Sequence, residues 1–434
     1  MSKFINTNIQ KPLRYIGHEI HATYKKDAPA SILLAFPDVY EIGMSHHGSR
    51  ILYERVNYLS SHSMERVYMP WKDAISQMRS KGLKLLSLES GREFREFSAV
   101  GFSMQNELCY TNVLAMLELG GLEIFSDKRK EDDPIVIAGG GATYNPAPMK
   151  KFIDVFVIGE ADKLIIEILD VLAEDLSKKE KLLKLSSLRG VYVPLFHSDS
   201  IKIEKQVLAD LNDSPIIQNI LIPYMELVHD RITYEVQRGC ARGCRFCQAG
   251  MIYRPVRQRE PLQIVNSIER DIFNTGYRDI GFLSLNACDY SPLLKLISSI
   301  YDKFKGMGMF VSLPSLRIES ISNEFLDILS KLPKSGFTIA PEAGSKRIRK
   351  LINKDMSDDE IFNTVSTVSE LNWDSIKSYF MIGLPTETME DVEAIASLAH
   401  EAVKHIKNKR CRLSVSISNF VPKPHTPFQW EAQL

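Results

Sequence analysis

Apolar and polar positions along this chain fall into two successive series of short apolar runs, each run followed by a stretch at helical spacing. The first series begins at Ala30. Ile32-Leu33-Leu34-Ala35-Phe36 is a continuous apolar run of strand length, and Ile51, Leu52, Val56 and Leu59 then recur at helical intervals. Ala99-Val100-Gly101-Phe102 predicts a second strand and Thr111 to Leu119 a helix. Pro134 to Ala138 predicts a strand that ends in Gly139-Gly140-Gly141, and Val155 to Ile158 one that ends in Gly159-Glu160. Strands that alternate with helices imply a parallel sheet covered on both faces. The second series starts at Ile232, with strands expected at 232–237, 279–285, 309–313, 336–340, 376–382 and 411–417. Between the first two, Glu260-Pro261 opens a helix, Ile264, Ile268 and Ile272 mark one face of it, and Gly276 stops it. The fold class is therefore α/β: an N-terminal doubly wound, Rossmann-like domain, then a partial (β/α)6 TIM-like barrel. The expected boundaries are an arm at 1–27, the first domain at 28–176, a lysine- and proline-bearing connector at 177–228 and the barrel at 229–434.

Composition narrows the function classes. With 434 residues, 44% hydrophobic and 25% charged, the chain has the ordinary make-up of a globular protein of two or three domains. Lysine plus arginine equals aspartate plus glutamate at 54 each, so bulk charge gives no reason to expect nonspecific nucleic-acid binding. No apolar run is long enough to span a bilayer, and Met1 to Gly17 lacks the apolar core of a signal peptide. Six cysteines in so long a chain are no disulfide framework, which fits a reducing cytoplasm and a metal site.

Half of those cysteines sit in one loop directly after the first barrel strand, where barrel chemistry belongs. Cys240, Cys244 and Cys247 are spaced C-x3-C-x2-C, with Phe246 as an apolar wall. Gly239 and Gly243 let the backbone bend there. Three thiols can hold a 4Fe-4S cube, which normally takes four thiolates, and leave one iron open. A structural zinc site would need a fourth ligand, and the nearest upstream histidine is His229; Cys244-x-x-Cys247 alone could be a redox pair. Zinc and redox readings stay open on spacing alone.

The surrounding residues resemble the radical S-adenosylmethionine (SAM) superfamily over the whole second domain. The resemblance is carried by Ser284-Leu285-Asn286 with Asp289-Tyr290-Ser291, by Ser312 to Arg317, by Ala340-Pro341-Glu342-Ala343-Gly344, by Phe380 to Thr388 and by Phe420 to Pro427. It is similar to the barrel of methylthiotransferase-type and Elongator-like members. The resemblance implies an enzyme that cleaves SAM reductively at the open iron to start a radical modification, with a flavodoxin- or ferredoxin-type reductant. Phe246, Asn286, Ser312, Arg317, Glu342 and Gly383 are then the candidates for contacting cluster or SAM. Ser312 and Arg317 suit ribose hydroxyls or the SAM carboxylate, and Glu342 suits the ribose or the ammonium. Cys288, in a strand-end loop, is a candidate second reactive thiol, while Cys109 and Cys411 read as core and His425 as structural.

The first domain resembles the cobalamin-binding module placed ahead of such barrels, in Gly139-Gly140-Gly141, Asn145-Pro146, Asp154 to Glu160, Pro37 to His46 and Glu107 to Asn112. Cobalamin is the cofactor so implied, over the edge lined by Gly139, Gly140 and Gly141, with methyl transfer as the favoured reaction. The chain departs from the pattern in one respect. Cobalt-ligating modules carry D-x-H-x-x-G, whereas His46 has Met44 two before it and Ser49 three after it. The alternatives are radical modification of an RNA base and a metal-stabilised binding protein without catalysis. The substrate is not identified.

Overall fold

The structure, a computed structural model, describes residues 9–312, 328 and 336–433. Contacts divide the chain into two compact units, Met1–Asp230 and Arg231–Leu434.

The first unit is built on a six-stranded sheet. Its strands are β1 (Ser31–Phe36), β2 (Ser63–Tyr68), β3 (Ala99–Ser103), β4 (Ile135–Gly139), β5 (Val155–Val157) and β6 (Val191–Tyr192), in the order β2-β1-β3-β4-β5-β6. All neighbours are parallel except β5 and β6. Period-two alternation sorts the strand residues into two cores. Leu33, Ala35, Val100, Phe102, Val136, Ala138 and Phe156 pack on one face. Ile32, Leu34, Phe36, Ile135, Ile137, Val155 and Val157 pack on the other. Both faces are covered, so the strands read as unbroken apolar runs. The helices are α1 (Tyr40–Ser45), α2 (His47–Leu59), α3 (Lys72–Lys81), α4 (Tyr110–Leu119), α5 (Leu164–Ala173) and α6 (Lys178–Ser186). Segment 177–228, expected as a connector, supplies α6 and the antiparallel edge strand β6 to this unit. Strand β2 escapes the apolar pattern because it buries Ser63, Glu65 and Arg66. Arg66 is satisfied by Glu89 at 2.5 Å and Glu19 at 2.8 Å, both carboxylates as buried as it is.

The second unit holds two three-stranded parallel sheets. One has the order β11-β10-β7, from β7 (Ile232–Glu235), β10 (Asp279–Leu283) and β11 (Phe310–Ser312). The other has the order β12-β13-β14, from β12 (Phe337–Glu342), β13 (Ser375–Ile382) and β14 (Arg412–Asn419). These are the six strands of the partial barrel. A small hairpin, β8 (Gln237–Arg238) with β9 (Arg257–Gln258), brackets the cysteine loop. The helices are α7 (Gln248–Ile252), α8 (Pro261–Thr275), α9 (Leu293–Phe304), α10 (Lys346–Leu351), α11 (Asp358–Glu370) and α12 (Met389–Lys404). Helix α8 begins with Glu260 as N-cap and proline in its first turn, and ends at Gly276 in the left-handed region, φ 74°. Among the described residues no helix is long and apolar enough to cross a membrane.

Candidate functional site

In the second unit the loop Cys240–Cys247 leaves β8 through Gly239. Its φ is 89°, and a Cβ there would stand 2.5 Å from the Pro255 carbonyl oxygen and 2.6 Å from that of Tyr253. Only glycine allows this approach. The loop is then tied to the exit of α10 and to the segments that follow β10 and β14. Asn353 Nδ2 donates to the Gly243 carbonyl at 2.9 Å, and Arg245 N donates to Ile352 O at 3.0 Å. Phe428 N donates to Arg245 O at 3.4 Å. Arg242 forks onto Asp289, with Nε at 3.1 Å from Oδ2, and Asn286 Nδ2 donates to the same oxygen at 2.9 Å. Phe246 packs on the cluster of Ala343, Ile348, Ile352, Leu384, Phe420 and Phe428.

All six cysteines are free, and the three of the loop are half-buried. Burial pushes the thiol pKa values of Cys244 and Cys247 up; the Lys354 ammonium opposes this at both, as does the Gly250 N–H at Cys247, while the Cys240 charge adds to it at both. Among the described residues no three metal-binding side chains converge to hold a single ion. Two buried polar atoms lack a hydrogen-bond partner: Gln248 Nε2, at the start of α7 next to Cys247, and Glu387 Oε1, in the loop after β13. Three half-buried thiols in one loop and two orphaned polar atoms fit a bound inorganic cluster and a polar cosubstrate.

The structure brings several expected residues to this site. Glu342 ends β12 with a positive φ of 69°, a strained setting for a non-glycine residue. Its carboxylate pairs with Lys354 at 2.9 Å, and Lys354 follows Asn353, whose side chain holds the Gly243 carbonyl of the loop. Gly383 follows β13 directly, with φ 78°, and donates its N–H to Glu387 Oε2 at 2.6 Å. Asn286 is buried, with its amide donor committed to Asp289, so it braces the loop through Arg242. Cys288 directly precedes Asp289, the carboxylate onto which Arg242 of the loop forks. Ser312 is the last residue of β11, and Arg317 lies outside the described residues. Cys411 is buried as expected, Cys109 is half-buried against the first unit's core, and His425 is exposed. Sequence reasoning missed Lys354 and Glu387. The spacing of Glu387 from Gly383 was a usable signal; a lysine at a helix exit was not.

In the first unit, strand order reverses between β1 and β3, and the crevice at their C-terminal ends is where open α/β sheets bind ligands. Gly140, φ 107°, approaches Met104 so closely that a Cβ would lie 2.4 Å from its carbonyl oxygen, whereas beside Gly139 the space is open but for Val157 at 3.9 Å. Gly141 is buried at the start of a short 3-10 turn. Tyr110, at the start of α4, keeps a buried hydroxyl without a hydrogen-bond partner, and burial pushes its pKa up to about 12. A glycine-lined edge with an orphaned hydroxyl fits a bound group. His46 does not fit as its ligand. Its Nδ1 accepts from Ser49 N at 3.1 Å and meets Ser49 Oγ at 2.8 Å, and the ring also bonds Gln105. Burial pulls its pKa down to about 4, so it is a neutral, locked helix cap.

Residues 234–399 match the radical SAM superfamily, and residues 48–194 match the N-terminal domain of radical SAM proteins. The uncharacterized protein MJ0966 of Methanocaldococcus jannaschii is 30% identical over 82% of this chain and 74% of its own length. The chain belongs to the radical SAM superfamily. It is accordingly an enzyme of the class that works with a 4Fe-4S cluster and SAM. The threonylcarbamoyladenosine tRNA methylthiotransferase MtaB of Aquifex aeolicus is 24% identical over 72% of the chain and 68% of its own length. Among solved structures, the radical SAM methyltransferase TsrM of Kitasatospora setae, with cobalamin and a [4Fe-4S] cluster bound, superposes with a TM-score of 0.64 at 14% identity. It covers 93% of this chain and 74% of its own. The cobalamin-dependent SAM radical enzyme OxsB gives 0.64 at 13%, over 92% of this chain and 60% of its own. These structural likenesses establish the fold: a cobalamin-binding-type α/β domain followed by a radical SAM barrel.

Proposed function

We propose that Cys240, Cys244 and Cys247 hold a 4Fe-4S cluster with one open iron, and that the enzyme uses SAM there to start a radical methyl transfer assisted by cobalamin. The observation that carries the reading is the loop itself: three half-buried thiols spaced C-x3-C-x2-C, held by Asn353, by the Ile352 carbonyl and by the Arg242–Asp289 fork. A cluster with an open iron supplies the electron that splits the sulfonium. The chain's own residues bind and orient. Lys354 offers an ammonium for the SAM carboxylate, and Glu342 offers a carboxylate for its amino group or ribose. Gly383 lets the backbone come close to the adenine, and Phe246 closes the apolar side. In the first unit Gly139, Gly140 and Gly141 line the edge for the cobalamin tail, with no histidine on the cobalt because His46 is occupied. The free cysteines and the absence of any membrane-crossing helix among the described residues support a cytoplasmic setting. A second reading, modification of a tRNA base, is favoured by the relation to the Aquifex tRNA methylthiotransferase.

Anaerobic reconstitution tests the first reading. The expected product is brown, with about four irons per chain, forms 5′-deoxyadenosine from SAM with dithionite, and keeps cobalamin through gel filtration. Colourless protein carrying zinc, or no 5′-deoxyadenosine, contradicts it. A tRNA that copurifies and gains mass on turnover would shift the substrate to RNA.

A further inference from the structure

A cavity in the first unit has no part in either site described above. It lies at the C-terminal end of the edge strand β2 and measures about 670 Å³, counted out to its mouth. Its walls come from Tyr15 and Ile16 of the arm, from Tyr40 at the start of α1, from Val67 and Tyr68 at the end of β2, and from residues 85–91. That last segment runs along the free edge of β2, where Leu88 N donates to Arg66 O at 2.9 Å. Strand β4, which ends at Gly139, lies three places away in the sheet, about 14 Å at the usual strand spacing. The cavity is therefore separate from the glycine edge.

The buried charge around it does not balance. Glu89 lines the cavity and shares Arg66 with Glu19, and all three are buried. Arg66 donates Nη2 to Glu19 at 2.8 Å and Nε to Glu89 at 2.5 Å, while Nη1 turns to Met44 Sδ at 2.8 Å. Two carboxylates thus meet one guanidinium. At Glu19 burial raises the pKa, but Arg66 and the Tyr40 hydroxyl, 2.9 Å from Oε1, outweigh it and hold the carboxyl below its ordinary range. At Glu89 burial prevails over Arg66 and pushes the pKa up. Arg14, also on the wall, forks onto Glu41 at 2.8 and 2.9 Å. Lys11 joins that carboxylate at 3.0 Å, but its side chain is 59% exposed and water screens it. His18 lines the cavity and is exposed. The buried groups are then Arg14 and Arg66 against Glu19, Glu41 and Glu89.

A buried carboxylate short of counter-charge is costly, so Glu89 takes up either a proton or a cation. The lining suits an organic cation. The phenol rings of Tyr15, Tyr40 and Tyr68 line the space, the last two edge to face with centroids 5.3 Å apart, and aromatic rings attract ammonium groups. Ile16, Val67 and Leu86 offer apolar wall for an alkyl chain. A hard inorganic ion instead takes about six oxygen ligands, and among the described residues no three metal-binding side chains converge. We propose that this cavity binds a small alkylammonium, its head against Glu89 among the three phenols and its tail along Ile16, Val67 and Leu86. The ligand supplies the positive charge that the buried side chains lack. The site is independent of the cluster and of cobalamin.

The test titrates the full chain with n-butylammonium chloride, read by saturation-transfer NMR of the butyl protons, at an ionic strength held with sodium chloride. n-Butanol is the neutral probe of similar shape, and potassium chloride the inorganic competitor. Glu89→Gln keeps the shape and removes the carboxylate charge. Leu86→Trp, at a half-buried position, fills the cavity and leaves every charge in place. The proposal expects saturable transfer to butylammonium, no displacement by potassium, and binding weaker by about tenfold or more for butanol and for both variants. Near-UV circular dichroism reports whether each variant is folded; if Glu89→Gln is not, Leu86→Trp and the comparison of probes on the wild type decide. Absence of transfer in the wild type, butanol bound as tightly as butylammonium, displacement by potassium, or undiminished binding in a folded variant would each overturn the proposal.

Discussion

Gly239 offers a sharp test of how the cysteine loop is held. Replacing it by alanine imposes two penalties. A left-handed residue with a Cβ costs about 1–2 kcal/mol. The new Cβ also meets the carbonyl oxygens of Tyr253 and Pro255 at 2.6 and 2.5 Å, and each oxygen would have to retreat to at least 3.0 Å. They are not free to do so, because buried Arg257 holds both, through Nη2 to Tyr253 O at 3.0 Å and Nε to Pro255 O at 3.1 Å. Overpacking against fixed atoms adds about 1–3 kcal/mol, for a sum of about 2–5 kcal/mol. Gly276→Ala is the matched control: its φ is 74°, but nothing lies within 4 Å of the added Cβ, so it bears only the first penalty, about 1–2 kcal/mol. Urea denaturation of the iron-free chains by circular dichroism, with iron per chain after reconstitution, reads both. Gly239→Ala should be the less stable and should lose most of its iron, while Gly276→Ala loads normally. If the two variants match in midpoint and iron content, the close approach at Gly239 does not hold the loop and the reasoning is wrong.

Lys354→Met removes the cation that balances Glu342, next in the chain to the Asn353 that holds the cysteine loop. Iron content should be kept, while SAM affinity, titrated by the change in the reduced cluster's EPR signal, should weaken about tenfold, or ~1.4 kcal/mol; unchanged affinity would remove Lys354 from the SAM site. His46 makes a pH prediction. Its folded pKa, about 4, lies below the ordinary value of 6.5, so the unfolded chain binds the proton first. Its contribution is fully present above about pH 6.5 and is lost as pH falls toward 4, about 1–3 kcal/mol in all. His46→Gln should flatten that part of the stability profile, and an unaltered slope would contradict the burial argument.

How much could be read from the chain depends on whether the physics was local. Strands β1, β3, β4 and β5 are apolar runs, and α8 carries its own start and stop signals in Glu260-Pro261 and Gly276. Strand β2 was invisible because Arg66 and Glu65 are tolerable there only through partners far along the chain, Glu19 and Glu89 for the arginine and Ser90 and Arg92 for the glutamate. The cysteine loop announced itself by spacing, and Glu342 and Gly383 by the motifs around them. Lys354 did not, since its ion pair with Glu342 forms only once β12 and the exit of α10 are folded together. The departure at His46 was legible as a broken pattern, but its reason, a ring used to cap α2, needed the hydrogen bonds.

The claim on which the account depends is an iron that no side chain of this protein occupies. Electron–nuclear double resonance on the reduced cluster, with SAM carrying 17O in its carboxylate and 15N in its amino group, addresses it directly. The account predicts hyperfine coupling of both labels to the cluster, undiminished in Cys288→Ala. Absence of coupling in the wild type, or loss of iron from Cys288→Ala as severe as from Cys240→Ala, would show a fourth protein ligand and contradict it.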